Sequence, residues 1–176
     1  MQSKAHWEKV YTTKAPDNVS WFQAHAETSV RMIHDTGLGR EASIIDVGGG
    51  ASTLVDDLLD DGYRAITVLD LSGAALDESK RRLGTKGEHV HWMETDITRA
   101  VFDPLSCDIW HDRAVFHFLT TDEDRRAYVK QVLHALKPGG HVIMATFGTH
   151  GPAQCSGLPV VRYAPEELHS EFGEAF

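Results

Sequence analysis

The chain has 176 residues, 41% hydrophobic and 24% charged, which is enough for one domain with a sizeable core and excludes a disordered or fibrous class. A net charge of −9 makes nucleic acid and anionic membrane poor partners, and no apolar run is long enough to span a bilayer. Two cysteines, Cys107 and Cys155, suggest no disulfide framework, and a polar, charged N-terminus shows no signal peptide, so a cytoplasmic setting is expected.

Trp7 and Tyr11 are four apart and would share one face of a short helix, before a polar turn around Pro16 and the stretch Val19-Ser20-Trp21-Phe22. Four aromatics in so short a segment are costly to expose. Residues 1–22 are therefore either an aromatic cap on the core or a flap over a ligand site. Residues 23–36 read as a helix ended by Gly37 and Gly39. Ser43–Val47 is short, apolar and β-branched, as a central parallel strand should be. Gly48, Gly49 and Gly50 then allow a tight turn without a Cβ in the way of a ligand. Ser52 stands at an N-cap position ahead of Leu54, Val55, Leu58 and Leu59, and Gly62 is a natural stop. Strand, glycine turn and helix N-terminus meet where open α/β sheets hold nucleotides.

The second strand, 65–69, ends in Asp70, which lies 20 residues beyond Gly50. An acid at about that distance can accept from both hydroxyls of a ribose diol. Ser72 can cap a helix running to Gly84, with Lys80, Arg81 and Arg82 on a solvated face that suits the helix dipole. His89–Met93 is a third strand, followed by Glu94-Thr95-Asp96-Ile97. His89 and His91 share a face without further ligands, so no metal site is predicted. Cys107–His111 is a fourth strand. In the segment that follows, Asp112, Arg113 and His117 are the polar side chains able to orient or deprotonate a substrate, and each could equally serve as an ion pair or cap. Asp122–Leu136 is a helix with Val129, Val132, Leu133 and Leu136 as its buried stripe, stopped by Lys137-Pro138-Gly139-Gly140. His141–Phe147 is the fifth strand, 148–163 a loop able to close a site, and Pro165 begins a last short helix.

The glycine turn narrows the nucleotide. A dinucleotide fold wants a third glycine where Thr53 stands, and a P-loop needs a lysine that is absent. The pattern is Asp46-x-Gly48-x-Gly50-x-Ser52, and an acid there repels a pyrophosphate but suits a cationic ligand. This stretch resembles motif I of the class I S-adenosylmethionine-dependent methyltransferases, with Ser52 in place of the last glycine. Asp70, Asp96, the Asp112 loop and Lys137-Pro138-Gly139-Gly140 follow at that family's spacing, so the resemblance covers about 43–172. The Trp7–Tyr11 and Trp21-Phe22 segment is similar to the N-terminus of thiopurine-type and lysine-type methyltransferases, where such residues line the cofactor pocket.

The resemblance implies a Rossmann-like, doubly wound α/β fold with a mostly parallel sheet in order 3-2-1-4-5, helices on both faces, and a single domain over 1–176. It implies S-adenosylmethionine as cofactor, held by Asp46, Gly48, Gly49, Gly50, Ser52, Asp70, Leu71 and His111. Asp96 would accept from the adenine amine, and the Ile97 amide would face the ring. Asp112 and His117 are the catalytic candidates. The expected function is methyl transfer by in-line displacement. A small-molecule acceptor is favoured because an acidic chain lacks a basic docking surface. The alternatives are a protein lysine, a non-catalytic cofactor-binding module and, weakly, a dinucleotide oxidoreductase. The family sheet usually adds strands six and seven beside strand five, and no residues remain for them. A truncated or naturally short C-terminus is therefore expected, with the strand-five edge covered by a second copy in a homodimer.

Overall fold

A computed structural model describes residues 4–13, 21–113 and 115–176. Five parallel strands, β1 (Ile44–Val47), β2 (Ile66–Asp70), β3 (His91–Glu94), β4 (Cys107–Arg113) and β5 (Leu136–Ala145), form one sheet in the order β3-β2-β1-β4-β5. This is the expected order. All of β1 is buried, as befits a strand with a neighbour on each side and a layer on each face.

Alternation along β1 divides the core. Ile44 faces a layer built from Ile33 of α2 (Glu27–Asp35), Leu54 and Leu58 of α3 (Leu54–Asp60) and Leu76 of α4 (Gly73–Leu83). Ile45 and Val47 face Tyr128 and Val132 of α5 (Asp122–Ala135) and Phe172 of α6 (Pro165–Phe172). Each fully buried side chain of this kind contributes roughly 1.5–3 kcal/mol, so the two layers fix which face of β1 each side chain takes. The remaining helix, α1 (Lys4–Thr13), lies beside α4 rather than beneath the sheet.

Several boundaries differ from the sequence reading. Ser43 lies outside β1, because its backbone N–H and hydroxyl both donate to Asp108 Oδ2, at 2.8 and 2.7 Å. Helix α2 starts at Glu27, since Trp21–Ala26 run as irregular chain over the sheet end, with the Ala26 N–H on Asp57 Oδ2 at 2.7 Å. β3 starts at His91, because Gly84–His89 form a 3-10 turn that the Trp92 indole N–H closes onto the Gly87 carbonyl. Strand pairing already begins at Leu136, opposite Cys107, and the Lys137–Gly140 stop is an irregularity in the β4–β5 ladder. The segment 148–163 is not loop alone. Gln154–Cys155 (β6) and Leu158–Pro159 (β7) form a separate antiparallel hairpin, turned by Ser156 and Gly157 at φ 51° and 76°. The expected turn at Pro16 and residues Val19 and Ser20 lie outside the described residues.

Candidate active site

The C-terminal ends of β1, β2 and β4 open into a cavity of ≈ 500 Å³, within the range that holds one ligand of drug size. Asp46, Gly48, Gly49, Ser52, Asp70, Leu71, Asp96, Ile97 and His111 line it together, so nine of the predicted positions converge. Gly48 has φ +70°, and a Cβ there would sit 2.1 Å from Val115. Gly50 lies behind the lining, where an added Cβ would sit 2.4 Å from Asp70 Oδ2.

Three carboxylates sit in this floor, each held differently. Asp70 Oδ1 accepts the Ser72 N–H at 2.8 Å. Burial pushes the Asp70 carboxyl up to about 7, and the charge of Asp46 adds to the rise. Asp96 Oδ1 accepts from the backbone N–H and hydroxyl of Thr98 at 2.9 and 2.8 Å, fixing the carboxylate at the start of a short 3-10 turn that includes Ile97. Asp46 Oδ1 is hydrogen-bonded to His111 Nδ1 at 2.7 Å, whereas its buried Oδ2 has no partner among the described residues.

The glycine turn is held from behind by residues the sequence reading left on a solvated face or did not single out. Ser79 donates to the Gly50 carbonyl at 2.5 Å. Arg82 reaches the Ser52 and Ala51 carbonyls at 2.7 and 3.3 Å and pairs with Asp56 at 2.6 Å. In the same basic run Lys80 and Arg81 pair with Asp77 and Glu78 one turn away, and Lys80 also lies over the Trp92 ring at 5.9 Å. The signal for Arg82 was its position one turn from Ser79, to which it donates at 3.0 Å, but its partners Ala51, Ser52 and Asp56 lie 26 to 31 residues away.

An aromatic roof covers the opposite wall. Trp7 packs edge-on against Phe118 and Trp21, with ring centroids 5.3 and 6.1 Å apart, and Tyr11, Phe22 and Phe147 join the lining. Burial, reinforced by Asp70, raises the Tyr11 phenol and holds it protonated. Charged contacts pin the roof. Glu8 accepts the Gly73 and Ala74 N–H groups at 2.6 and 3.4 Å, at the N-terminus of α4, and Lys4 pairs with Glu94. Arg113 donates to the Trp21 carbonyl at 3.2 Å and to the Gln23 side chain, while Thr53 donates to the Gln23 carbonyl at 3.0 Å.

The two catalytic candidates do not line the cavity. Asp112 is 0% exposed; its carboxylate accepts the Val115 and Phe116 N–H groups at 2.8 and 3.1 Å and the Tyr128 hydroxyl at 2.6 Å. Trp110 donates to that same hydroxyl at 2.8 Å. Burial pushes Asp112 up to about 6 despite these donors. His117 is also 0% exposed, stacked on Phe147 at 4.9 Å, with neither ring nitrogen partnered among the described residues. Burial lowers it to about 4, which keeps it neutral.

A parallel sheet with a glycine turn at the end of β1 and an acid at the end of β2, both facing one cavity, defines a Rossmann-like site. Residues 44–140 match the methyltransferase domain family, and the chain belongs to that family, as a class I S-adenosylmethionine-dependent member. The mouse eEF1A lysine and N-terminal methyltransferase is 25% identical over 141 residues, which are 80% of this chain and 20% of that protein. The chain thus spans about a fifth of that relative's length. Among solved structures, one from work on the conversion of a disulfide bond into a thioacetal group during echinomycin biosynthesis superimposes with TM-score 0.74. It is 19% identical and covers 97% of this chain and 77% of that one. Phosphoethanolamine N-methyltransferase 1 of Haemonchus contortus, solved with phosphoethanolamine and S-adenosylhomocysteine, gives TM-score 0.66 at 16% identity, over 84% and 32% of the two chains.

The donor set suits the cofactor of this family. S-adenosylmethionine carries a sulfonium, an ammonium, a ribose diol and an adenine amine. The floor offers carboxylate acceptors, among them an orphaned buried oxygen on Asp46.

Proposed function

We propose that this chain transfers the methyl group of S-adenosylmethionine to a small-molecule acceptor admitted beneath the aromatic roof. One observation carries the reading: three carboxylates and a glycine turn form the floor of a cavity whose opposite wall carries Trp7, Tyr11, Trp21, Phe22, Phe118 and Phe147. Asp70 would take the ribose diol, Asp96 and the Ile97 amide the adenine edge, and Asp46 the ammonium. Gly48, Gly49, Gly50, Ser52 and Leu71 would shape the surface against which the nucleoside lies.

The cofactor, when bound, supplies a methyl already activated on sulfur. The chain's own part is then to align the acceptor and exclude water, for which the roof of Trp7, Tyr11, Trp21 and Phe118 is suited. Asp112 and His117, catalytic candidates from the sequence, fit a different role. Asp112 is buried and holds the turn after β4 by its hydrogen bonds, and His117 is buried against Phe147, so we propose that neither handles the acceptor's proton.

A protein lysine acceptor is the second reading, favoured by the mouse relative's name. The aromatic roof over the cavity weighs against it, since Trp7, Tyr11 and Trp21 narrow the approach for a folded partner. Residues 1–176 are proposed to act as one unit with 1–22 as its roof. The outer edge of β5 has no strand beside it among the described residues, and we propose a second copy as its cover. Turnover with methyl-labelled cofactor over a panel of thiols, amines, carboxylates and cell lysate tests the acceptor. Label in a small molecule supports the reading, and label in protein alone overturns it.

A further inference from the structure

Ser29 of α2, His111 of β4 and Asp46 of β1 form one buried chain. Ser29 Oγ lies 2.9 Å from His111 Nε2, and His111 Nδ1 lies 2.7 Å from Asp46 Oδ1. The three residues are 7%, 3% and 3% exposed. His111 and Asp46 are register neighbours on adjacent strands, so the sheet itself sets their separation.

Serine, histidine and aspartate in this order make up a hydrolase triad, in which the serine faces the substrate. Here the polarity is reversed. Ser29 does not line the cavity, whereas Asp46 and His111 do. The open end of the chain is the carboxylate, whose Oδ2 is buried and unpartnered among the described residues. A carboxylate oxygen without a donor in such a place is costly unless a ligand donor meets it. Gly49 keeps the approach clear, for an added Cβ would sit 2.2 Å from that same oxygen.

Resting on the cofactor reading above, we propose that His111 and Ser29 are positioning residues that hold Asp46 by one oxygen and present the other to the α-ammonium of the cofactor. In the tautomer whose Nδ1–H donates to Asp46, Nε2 accepts from the Ser29 hydroxyl, so both ring nitrogens and the hydroxyl are partnered and only Asp46 Oδ2 is left open. The carboxylate's negative charge is then left for the ammonium. Because Ser29 lies on α2, the helix that Trp21–Ala26 lead into, the same chain ties the carboxylate to the roofed side of the site.

The test uses calorimetry on the intact chain with two ligands, S-adenosylhomocysteine and its desamino analogue, which differ only in the ammonium. The wild type should bind the first about ten- to a hundredfold more tightly, the scale of a charge-assisted hydrogen bond. His111→Phe should erase most of that ratio, so that the two ligands bind the variant about equally. His111→Asn, which can keep a donor toward Asp46, should restore much of it, and Ser29→Ala should reduce it only about two- to fivefold. Equal binding of the two ligands by the wild type overturns the proposal, as does an equal loss of both in His111→Phe. If that variant does not fold, the wild-type ratio with Ser29→Ala and His111→Asn still decides. Failure of the wild type to bind either ligand would instead remove the cofactor reading.

Discussion

The floor and the roof of the cavity are built on opposite principles. The floor hangs on short bonds at the strand ends: strand register pairs Asp46 with His111, Ser72 holds Asp70, and Ser79 of α4 holds the Gly50 carbonyl. The roof is a cluster of rings held to the rest by a few charged contacts, at Glu8, Lys4 and Arg113. A floor of that kind cannot shift without breaking the sheet, so it suits recognition of one invariant ligand. A roof on few contacts can open at modest cost, which suits exchange of ligand and acceptor.

Substitutions that strike one side only would break or sharpen this contrast. The largest expected effect is on the turn joining the two sides. Asp112→Ala strands two backbone N–H groups and the Tyr128 hydroxyl, and should cost about 3 kcal/mol of stability in denaturant unfolding. An effect on turnover without a stability loss would return Asp112 to the catalytic list. Next is the floor. Asp70→Ala should weaken S-adenosylhomocysteine binding by about 1–3 kcal/mol, with little change in the roof. Unchanged affinity would remove Asp70 from the site.

The same aspartate predicts a trade between function and stability. Its carboxyl is raised from 3.8 to about 7 by burial, so the unfolded chain ionises it at lower pH than the folded one does. The folded state therefore gains from a protonated Asp70 at low pH and loses that advantage as pH climbs from about 4 to 7. Asp70→Asn should accordingly raise the stability of the ligand-free protein by roughly 1–3 kcal/mol at pH 8 and by little at pH 4. Paired melting curves at the two pH values check this, and a variant less stable than wild type at pH 8 would contradict it. The smallest effect belongs to the roof. Glu8→Ala removes a cap from α4 and should cost about 1 kcal/mol, seen mainly as faster ligand dissociation in stopped-flow. An unchanged dissociation rate would mean that α1 is not the gate.

The floor was the more legible half in the sequence, for a physical reason. Gly48, Asp70 and Asp96 each sit at a strand end, where local hydrophobic pattern and spacing place them, and the strand order followed from the same signals. What stayed hidden depends on partners distant along the chain. Arg82 reads as one of three exposed cations until α4 folds back on the glycine turn, and Ser29 is an ordinary helix residue until β4 brings His111 against it. His117 follows β4 as expected, whereas Asp112 lies within the strand, paired with Val47 and Met144, because β4 runs two residues past His111; the spacing did not say that both would face away from the cavity. The β6–β7 hairpin is too short for any alternation to register. Trp7 and Trp21 announced a shared aromatic role, though not the contacts of Glu8 and Arg113 that hold them over the site.

The central claim is that the carboxylate floor is a site for S-adenosylmethionine. Isothermal titration of the wild-type chain with S-adenosylhomocysteine and, separately, with NAD tests it most directly. The account predicts one saturable site per chain for S-adenosylhomocysteine, weakened in Asp70→Ala, and no binding of NAD, whose pyrophosphate would face Asp46. Absent heat with S-adenosylhomocysteine, or NAD bound as tightly, would contradict it.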